Sequence, residues 1–384
     1  MLLFVLSLCG LSSAMSGRIV DPVVIEIAAD LAAPVGLVAL LSTAYTLPFA
    51  LSQPFLGPLG DIFSKARIVK VGTSLLALFL ALAALAPDLS SLFAARVVGG
   101  IAGAAILPIG FALIGDSFPM ARRQVAISRF LAATLVGQLV GATMSGVLSH
   151  SFGWRTVFWS AAAVTGAIAA AAWWRLPESK PQRTAPVGLA TALANYRTVV
   201  RNPRAWVCFS AVLVEGAVIY GWMPFLGQFL QERGLGGVRE AGIVISGTAV
   251  GGIGYTLIVS WLLRRLDRWR MMAVGGAFAA FGLFCMSFGA IWPVQWAFMG
   301  VTGFGFFMLH NPIQTEVSEL APDARASAFS LHSLSFYVGQ ALGPILYAVG
   351  SHTIGLPASL LVGSACFLAT GFAAWRLLRA APAR

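Results

Sequence analysis

Gly137-Gln138-Leu139-Val140-Gly141 returns in outline 202 residues later as Gly339-Gln340-Ala341-Leu342-Gly343. Moving outward from this pair, Pro108 answers to Pro312, Pro119 to Pro322 and Arg122 to Arg325, while Arg67 and Gly72 answer to Arg270 and Gly275. Every offset falls between 202 and 204 residues. One such match is chance; an ordered series implies that the two halves of the chain are copies of one structural unit.

The composition says what kind of unit. Of 384 residues, 58% are hydrophobic and only 10% charged, with a mean hydropathy of +0.85. Soluble domains carry about 45–50% apolar and about 25% charged residues, so an ordinary soluble enzyme and a disordered or collagen-like chain are both excluded. Apolar runs broken by charge, Pro or Gly predict twelve helices, at 2–26, 34–56, 68–86, 90–113, 124–148, 154–174, 204–228, 240–263, 271–291, 293–313, 326–349 and 355–375. Each is close to the ~20 apolar residues that a spanning helix needs. None alternates as a barrel strand does. The expected fold is an all-α membrane protein of twelve transmembrane helices in two six-helix pseudo-repeats about a central cavity. Parallel repeats of this kind are an architecture of secondary transporters.

The charges test the count. Lys and Arg number 25 against 14 Asp and Glu, a net charge of +11. With the N-terminus inside, twenty of the 25 fall on the cytoplasmic side, Arg155, Arg233 and Arg239 outside, and Arg18 and Arg96 within spans. Cytoplasmic loops are rich in Lys and Arg, so a multi-pass protein with both termini cytoplasmic is expected, and the basic excess reads as loop charge rather than as a nucleic-acid surface. Met1–Gly17 lacks the basic leader region of a secretory signal and is expected to be an uncleaved first span. The longest polar stretch holds Pro177, Pro181, Pro186 and four basic residues, with Arg175 and Arg204 flanking it. It divides the chain into an N-terminal bundle (1–176), a cytoplasmic linker (177–203) and a C-terminal bundle (204–384). Cys9, Cys208, Cys285 and Cys366 lie in apolar runs with no metal-ligand spacing, so neither a disulfide nor a metal site is expected.

A charge in hydrocarbon is costly and is a functional hypothesis by default. Arg18 and Asp21 are three apart and can pair; they read as a cavity pair or as a structural ion pair, with Pro22 loosening the helix beside them. Glu215 sits among Val212, Leu213 and Val214 with no basic residue within a turn of its own helix. It reads as a proton carrier, or as a protonated glutamic acid bonded to a neighbouring helix. Arg96 reads as a partner that tunes a facing carboxylate, as an anchor for an anion, or as a side chain reaching for the interface. Gln138 and Gln340 are polar candidates for the cavity wall, and Tyr45, Tyr220, Trp222 and Phe225 are aromatic ones. His310 and His332 read first as helix-end hydrogen-bonders and second as proton relays. Gly137, Gly141, Gly146, Gly339 and Gly343 read as close helix packing. No phosphate-binding loop, zinc-protease or serine-hydrolase motif occurs, which argues against direct ATP drive and against a membrane hydrolase.

At this point the chain resembles the major facilitator superfamily. The stretch Gly57-Pro58-Leu59-Gly60-Asp61-Ile62-Phe63-Ser64-Lys65-Ala66-Arg67 looks like that family's loop between spans 2 and 3, with Ile62 and Ser64 as departures. Arg96 with Gly99, Gly100 and Gly103 resembles its span 4 arginine motif, and Gly153-Trp154-Arg155 with Phe158 its span 6 entrance. Gly137-x-x-x-Gly141-Ala142-x-x-Ser145-Gly146 is similar to the span 5 motif of proton antiporters, with Ala142 in place of Pro and Ser145 in place of Gly. The resemblance implies a cytoplasmic gate formed by Gly57, Asp61, Lys65 and Arg67, in which Asp61 docks on the positive end of a helix dipole. It also implies a bacterial inner-membrane transporter, not an enzyme, that exports a small molecule by proton antiport through alternating access. Its partners would be the substrate, protons and the bilayer, with no cofactor beyond the proton gradient, and it would act as a monomer. The alternatives are a symporter or uniporter for a sugar or organic anion, with Arg18 and Arg96 binding substrate, and a non-transporting receptor or scaffold.

Overall fold

A computed structural model describes residues 1–178, 189–321 and 324–380. Within these, the side chains at 57–58, 60–62, 120–121, 123–124, 128, 189–192, 326 and 380 lie outside the described set. Lys180, Pro181, Arg183, Pro186 and Pro322 are also outside it. Among the described residues the secondary structure is helical, with no strand. The chain divides into two compact units, Met1–Val187 and Gly188–Arg384.

The first unit contains α1 (Leu2–Arg18), α2 (Val24–Asp30), α3 (Val35–Ile62), α4 (Lys65–Ala84), α5 (Leu89–Ala104), α6 (Ile106–Ser117), α7 (Met120–Phe152) and α8 (Trp154–Arg175). The second contains α9 (Leu189–Arg201), α10 (Pro203–Trp222), α11 (Leu226–Glu232), α12 (Val238–Arg265), α13 (Arg268–Ser287), α14 (Trp292–Glu319), α15 (Arg325–Thr353) and α16 (Leu356–Ala380). Inside the first unit α1 packs on α7, α3 on α5 and α4 on α8. Inside the second, α10 packs on α15, α12 on α14 and α13 on α16. The pairing is the same in both: first span with fifth, second with fourth, third with sixth. The sequence repeat is therefore a repeat of three-dimensional packing.

Among the described residues, ten helical segments are long and apolar enough to cross a membrane. Two more, α14 and α15, have 28 and 29 residues, enough for the ~30 Å hydrocarbon core at ~1.5 Å per residue. They fall short on hydropathy because polar side chains such as Gln295, His310 and Glu316 in α14, and His332 and Gln340 in α15, occupy them. Twelve spans are consistent with this set. The outward side chains are apolar, with Leu257 and Trp174 each 79% exposed, while Asp21, Arg96 and Glu215 are buried. A soluble protein arranges these the other way round.

Three expected spans are interrupted. The first helix ends at Arg18, a 3-10 turn covers Asp21–Val23, and α2 resumes. Pro22 has no N–H to give the carbonyl four residues back, which is that of Arg18. Span 7 repeats the device with a 3-10 turn at Met223–Phe225, which contains Pro224. The expected span at 90–113 divides at Ala105 because the ring of Pro108 faces the carbonyl of Ala104, where α5 ends. In the expected linker, residues 189–201 form α9.

Small residues set the helix spacing. A Cβ on Gly10 of α1 would lie 2.8 Å from the Phe130 ring, and one on Gly110 of α6 would lie 2.7 Å from the same ring. Phe130 is fully buried between them, with Phe111 edge-on at 5.2 Å. Helix ends are closed by Asp88, whose carboxylate accepts from Ser91 N at 2.8 Å, and by Asp267, which accepts from Arg270 N at 2.7 Å. Gly153, at φ 78°, ends α7 in a conformation that residues with a Cβ rarely adopt.

Candidate functional site

Each unit holds a buried polar cluster built on an expected site residue. In the first unit the cluster forms where α1 breaks. The freed turn carries Asp21, which is fully buried. Its Oδ2 pairs with Arg18 Nη1 at 3.2 Å, and its Oδ1 accepts from Ser42 Oγ of α3 at 2.7 Å. Arg96 of α5 reaches the same region. Its Nη1 donates to Ser16 O at 2.8 Å and its Nε to Leu41 O at 3.3 Å. Its guanidinium lies 4.3 Å from the centre of the Tyr45 ring, a cation–π contact. Arg96 Nη2 is buried with no hydrogen-bond partner among the described residues. Two cations thus face one carboxylate, and the cluster carries an excess positive charge.

In the second unit Glu215 of α10 is fully buried. Its Oε2 lies 2.7 Å from Nδ1 of His310 on α14. Its Oε1 has no partner among the described residues, and neither has Nε2 of His332 on α15. The His310 and His332 rings are 5.2 Å apart. Phe306 and Phe336 each lie 5.1 Å from the His310 ring, and Tyr220 meets Phe336 edge-on at 5.7 Å. The carboxyl and the imidazole therefore share one hydrogen bond inside an aromatic wall. They can hold a proton as a neutral pair or separate it as an ion pair, at a cost that burial raises.

The structure brings Arg18, Asp21 and Arg96 together, joined by Ser42 and Tyr45. Glu215 is joined by His310, which sequence reasoning ranked below it. A helical-turn search around Glu215 could not find a partner 95 residues away on another helix. Gln340 is buried on α15, against Gly216 of α10; Gln138 is half-buried on α7 in the other unit.

Of the expected gate, the side chains at Gly57 and Asp61 lie outside the described residues. Lys65 Nζ pairs with Asp116 of α6 at 2.6 Å, and Arg67 with Glu178 at 2.7 Å. Lys70 Nζ reaches Glu178 as well, at 3.3 Å. Glu178 lies beyond the last turn of α8, and the hydrogen bond from Arg67, with Lys70 beside it, holds its carboxyl below the usual range. Sequence reasoning also missed Glu316, buried between Arg204 and Arg268. Arg268 stands at the repeat position of Lys65, an offset of 203, and that signal was available.

The packing glycines face helix backbones. A Cβ on Gly141 would lie 2.6 Å from Met15 O, and Gly137 faces Leu11. Gly339 and Gly343 face Leu213 and Ala217 of α10. Gly146 is buried. Trp154 Nε1 donates to Asp30 Oδ2 at 3.1 Å, and Arg155 bonds the same carboxylate. The four cysteines are free. Among the described residues, no group of three metal-ligating side chains gathers.

The sequence profile of the Major Facilitator Superfamily matches residues 6–344. The chain is 22% identical to an uncharacterized MFS-type transporter, YwfA, of Bacillus subtilis over 350 residues, 88% of this chain and 84% of that one. It is 26% identical to the gallate transporter of Pseudomonas putida over 317 residues, 74% of this chain and 69% of that one. The fold is similar to the crystal structure of the nucleoside transporter NupG, with a TM-score of 0.80 at 16% identity over 97% of this chain and 99% of that one.

Proposed function

This chain belongs to the Major Facilitator Superfamily of membrane transporters, and we propose that it is a proton-coupled antiporter that exports a small molecule across a bacterial inner membrane by alternating access. Both termini are cytoplasmic in this reading, because that placement puts most Lys and Arg inside. The observation that carries it is the buried hydrogen bond between Glu215 and His310. A carboxyl in the membrane interior with one committed oxygen, and one that has no partner among the described residues, has a place for an arriving proton on Oε1 and a neighbour to exchange it with on Oε2. Binding of substrate and of proton at this pair would exclude one another, which is the requirement for antiport. The likeness of the α7 glycines to the antiporter motif supports the direction. Purified protein in proteoliposomes with an internal pH dye tests it: lipophilic cations, sugars and organic anions are supplied in turn, and antiport moves protons opposite to the substrate.

A second reading has its own observation. Arg96 Nη2 is buried and unpartnered among the described residues, in a cluster with two cations and one carboxylate. That excess suits an anionic substrate, and a relative is named as a gallate transporter. Under this reading the protein takes up an organic anion by symport or facilitated diffusion, Arg96 holds the anion, and counterflow with gallate or other carboxylates is observed without opposite proton movement.

A further inference from the structure

The helix α9 has two unlike faces. Val199 is fully buried and Asn195, Tyr196 and Val200 are half-buried. Tyr196 Oη lies 3.4 Å from Ser330 Oγ at the start of α15. At 100° per residue these four positions fall on one arc. The opposite arc carries Leu193, Ala194, Arg197, Thr198 and Arg201, all exposed. Arg197 and Arg201 are four residues apart, so they share one face of the helix. Neither makes an ion pair among the described residues, whereas nearby Arg204 is engaged by Glu316. No acidic residue occurs between Leu189 and Arg204.

The place of this face decides what covers it. Only Asn202 separates α9 from α10, which opens a membrane span at Pro203. Asn202 caps α10 through Arg204 N at 3.0 Å, and its extended backbone, at ψ 118°, turns the chain there. Trp206, 62% exposed in the first turn of α10, donates from Nε1 to Val200 O of α9 at 3.0 Å. Leu193, 58% exposed, lies at the apolar edge of the arginine face. An indole at the start of a span marks the headgroup level, and a helix tied to it stands at that level. Paired cations with an apolar edge are the features of a helix that lies in the interface and attracts anionic lipid.

We propose that α9 is an interfacial helix whose Arg197 and Arg201 bind the phosphate headgroups of anionic phospholipids. Leu193 and Trp206 enter the acyl boundary beside them. The second unit is thereby fastened to one leaflet at the point where the linker joins it.

Hydrogen–deuterium exchange of the full-length protein in nanodiscs tests this. Discs of phosphatidylcholine alone are compared with discs that also contain phosphatidylglycerol. Amides of residues 193–201 are expected to exchange more slowly with phosphatidylglycerol, by up to about thirtyfold, since each arginine at an anionic surface contributes about a factor of five. High salt and the R197Q/R201Q variant should remove the difference, while R197K/R201K keeps it. Amides of α10 report whether each variant is folded. Equal exchange in the two kinds of disc, or a lipid difference that survives in R197Q/R201Q, overturns the proposal.

Discussion

His310 Nδ1 stands 2.7 Å from Glu215 Oε2, although 95 residues and several helices separate the two along the chain. Sealing this carboxyl among apolar neighbours is costly. The imidazole compensates one oxygen, and the other has no partner among the described residues. The pair should therefore act as a unit. Glu215→Gln keeps the shape and a hydrogen bond but holds no exchangeable charge, and is expected to fold and to lose pH-driven transport. His310→Gln is expected to retain transport with a displaced pH–rate profile. Initial rates across pH in proteoliposomes read both.

The Arg18–Asp21 pair predicts a stability cycle. Asp21→Asn leaves Arg18 and Arg96 buried without a carboxylate and should cost about 3–5 kcal/mol, as breaking one side of a buried pair does. The double variant Arg18→Gln/Asp21→Asn should cost less than Asp21→Asn alone. Thermal melting in detergent compares them. A double variant at least as unstable as the single one would show that Asp21 acts through Ser42 rather than through Arg18.

Two glycines should respond with opposite signs. A Cβ on Gly141 would lie 2.6 Å from Met15 O, whereas one on Gly166 of α8 has nothing within 4 Å. Gly141→Ala is expected to destabilise by about 1–3 kcal/mol, as overpacking does. Gly166→Ala is expected to stabilise by about 0.5–1 kcal/mol by limiting the unfolded chain. Melting temperatures of the two variants check the contrast.

Glu178 gives a pH dependence with a defined sign. The hydrogen bond from Arg67, with Lys70 beside it, lowers its folded pKa below the unfolded carboxylate value. The folded state then binds fewer protons than the unfolded one. Stability from this contact is fully present above the unfolded value and is lost as pH falls through the folded one. Glu178→Gln should flatten the acid side of the stability profile and leave the neutral side with the same slope.

The fold was legible because its causes are local or periodic. Apolar run length gives the spans, and an offset near 203 gives the repeat. The same offset relates further pairs of residues. Pro22 and Pro224 are 202 apart and interrupt equivalent helices; Lys65 and Arg268 are 203 apart and both pair with a carboxylate. Arg18, Asp21, Arg96 and Glu215 stood out because charge is rare in apolar sequence. Their pairings did not. Ser42 was missed, and Tyr45 and His310, although named as candidates, could not be assigned to Arg96 and Glu215, because those contacts arise only when α3 and α14 are laid against their neighbours, and helix faces are not assigned by one sequence. Pro22 marked a loosening beside Asp21, but neither the full break there nor the one at Ala105 was expected: Pro inside a span is tolerated in several places, as Pro312 and Pro344 are within α14 and α15, so proline alone does not mark a break.

The central claim is that the Glu215–His310 pair carries the proton that drives transport. The most direct measurement follows internal pH in proteoliposomes while an identified substrate is supplied, first with the unaltered protein and then with Glu215→Gln matched for folded amount. The account predicts proton movement opposite to substrate flux in the first case and its loss in the second, with substrate exchange between equal pH on both sides retained. Proton movement of the same size in Glu215→Gln would contradict it.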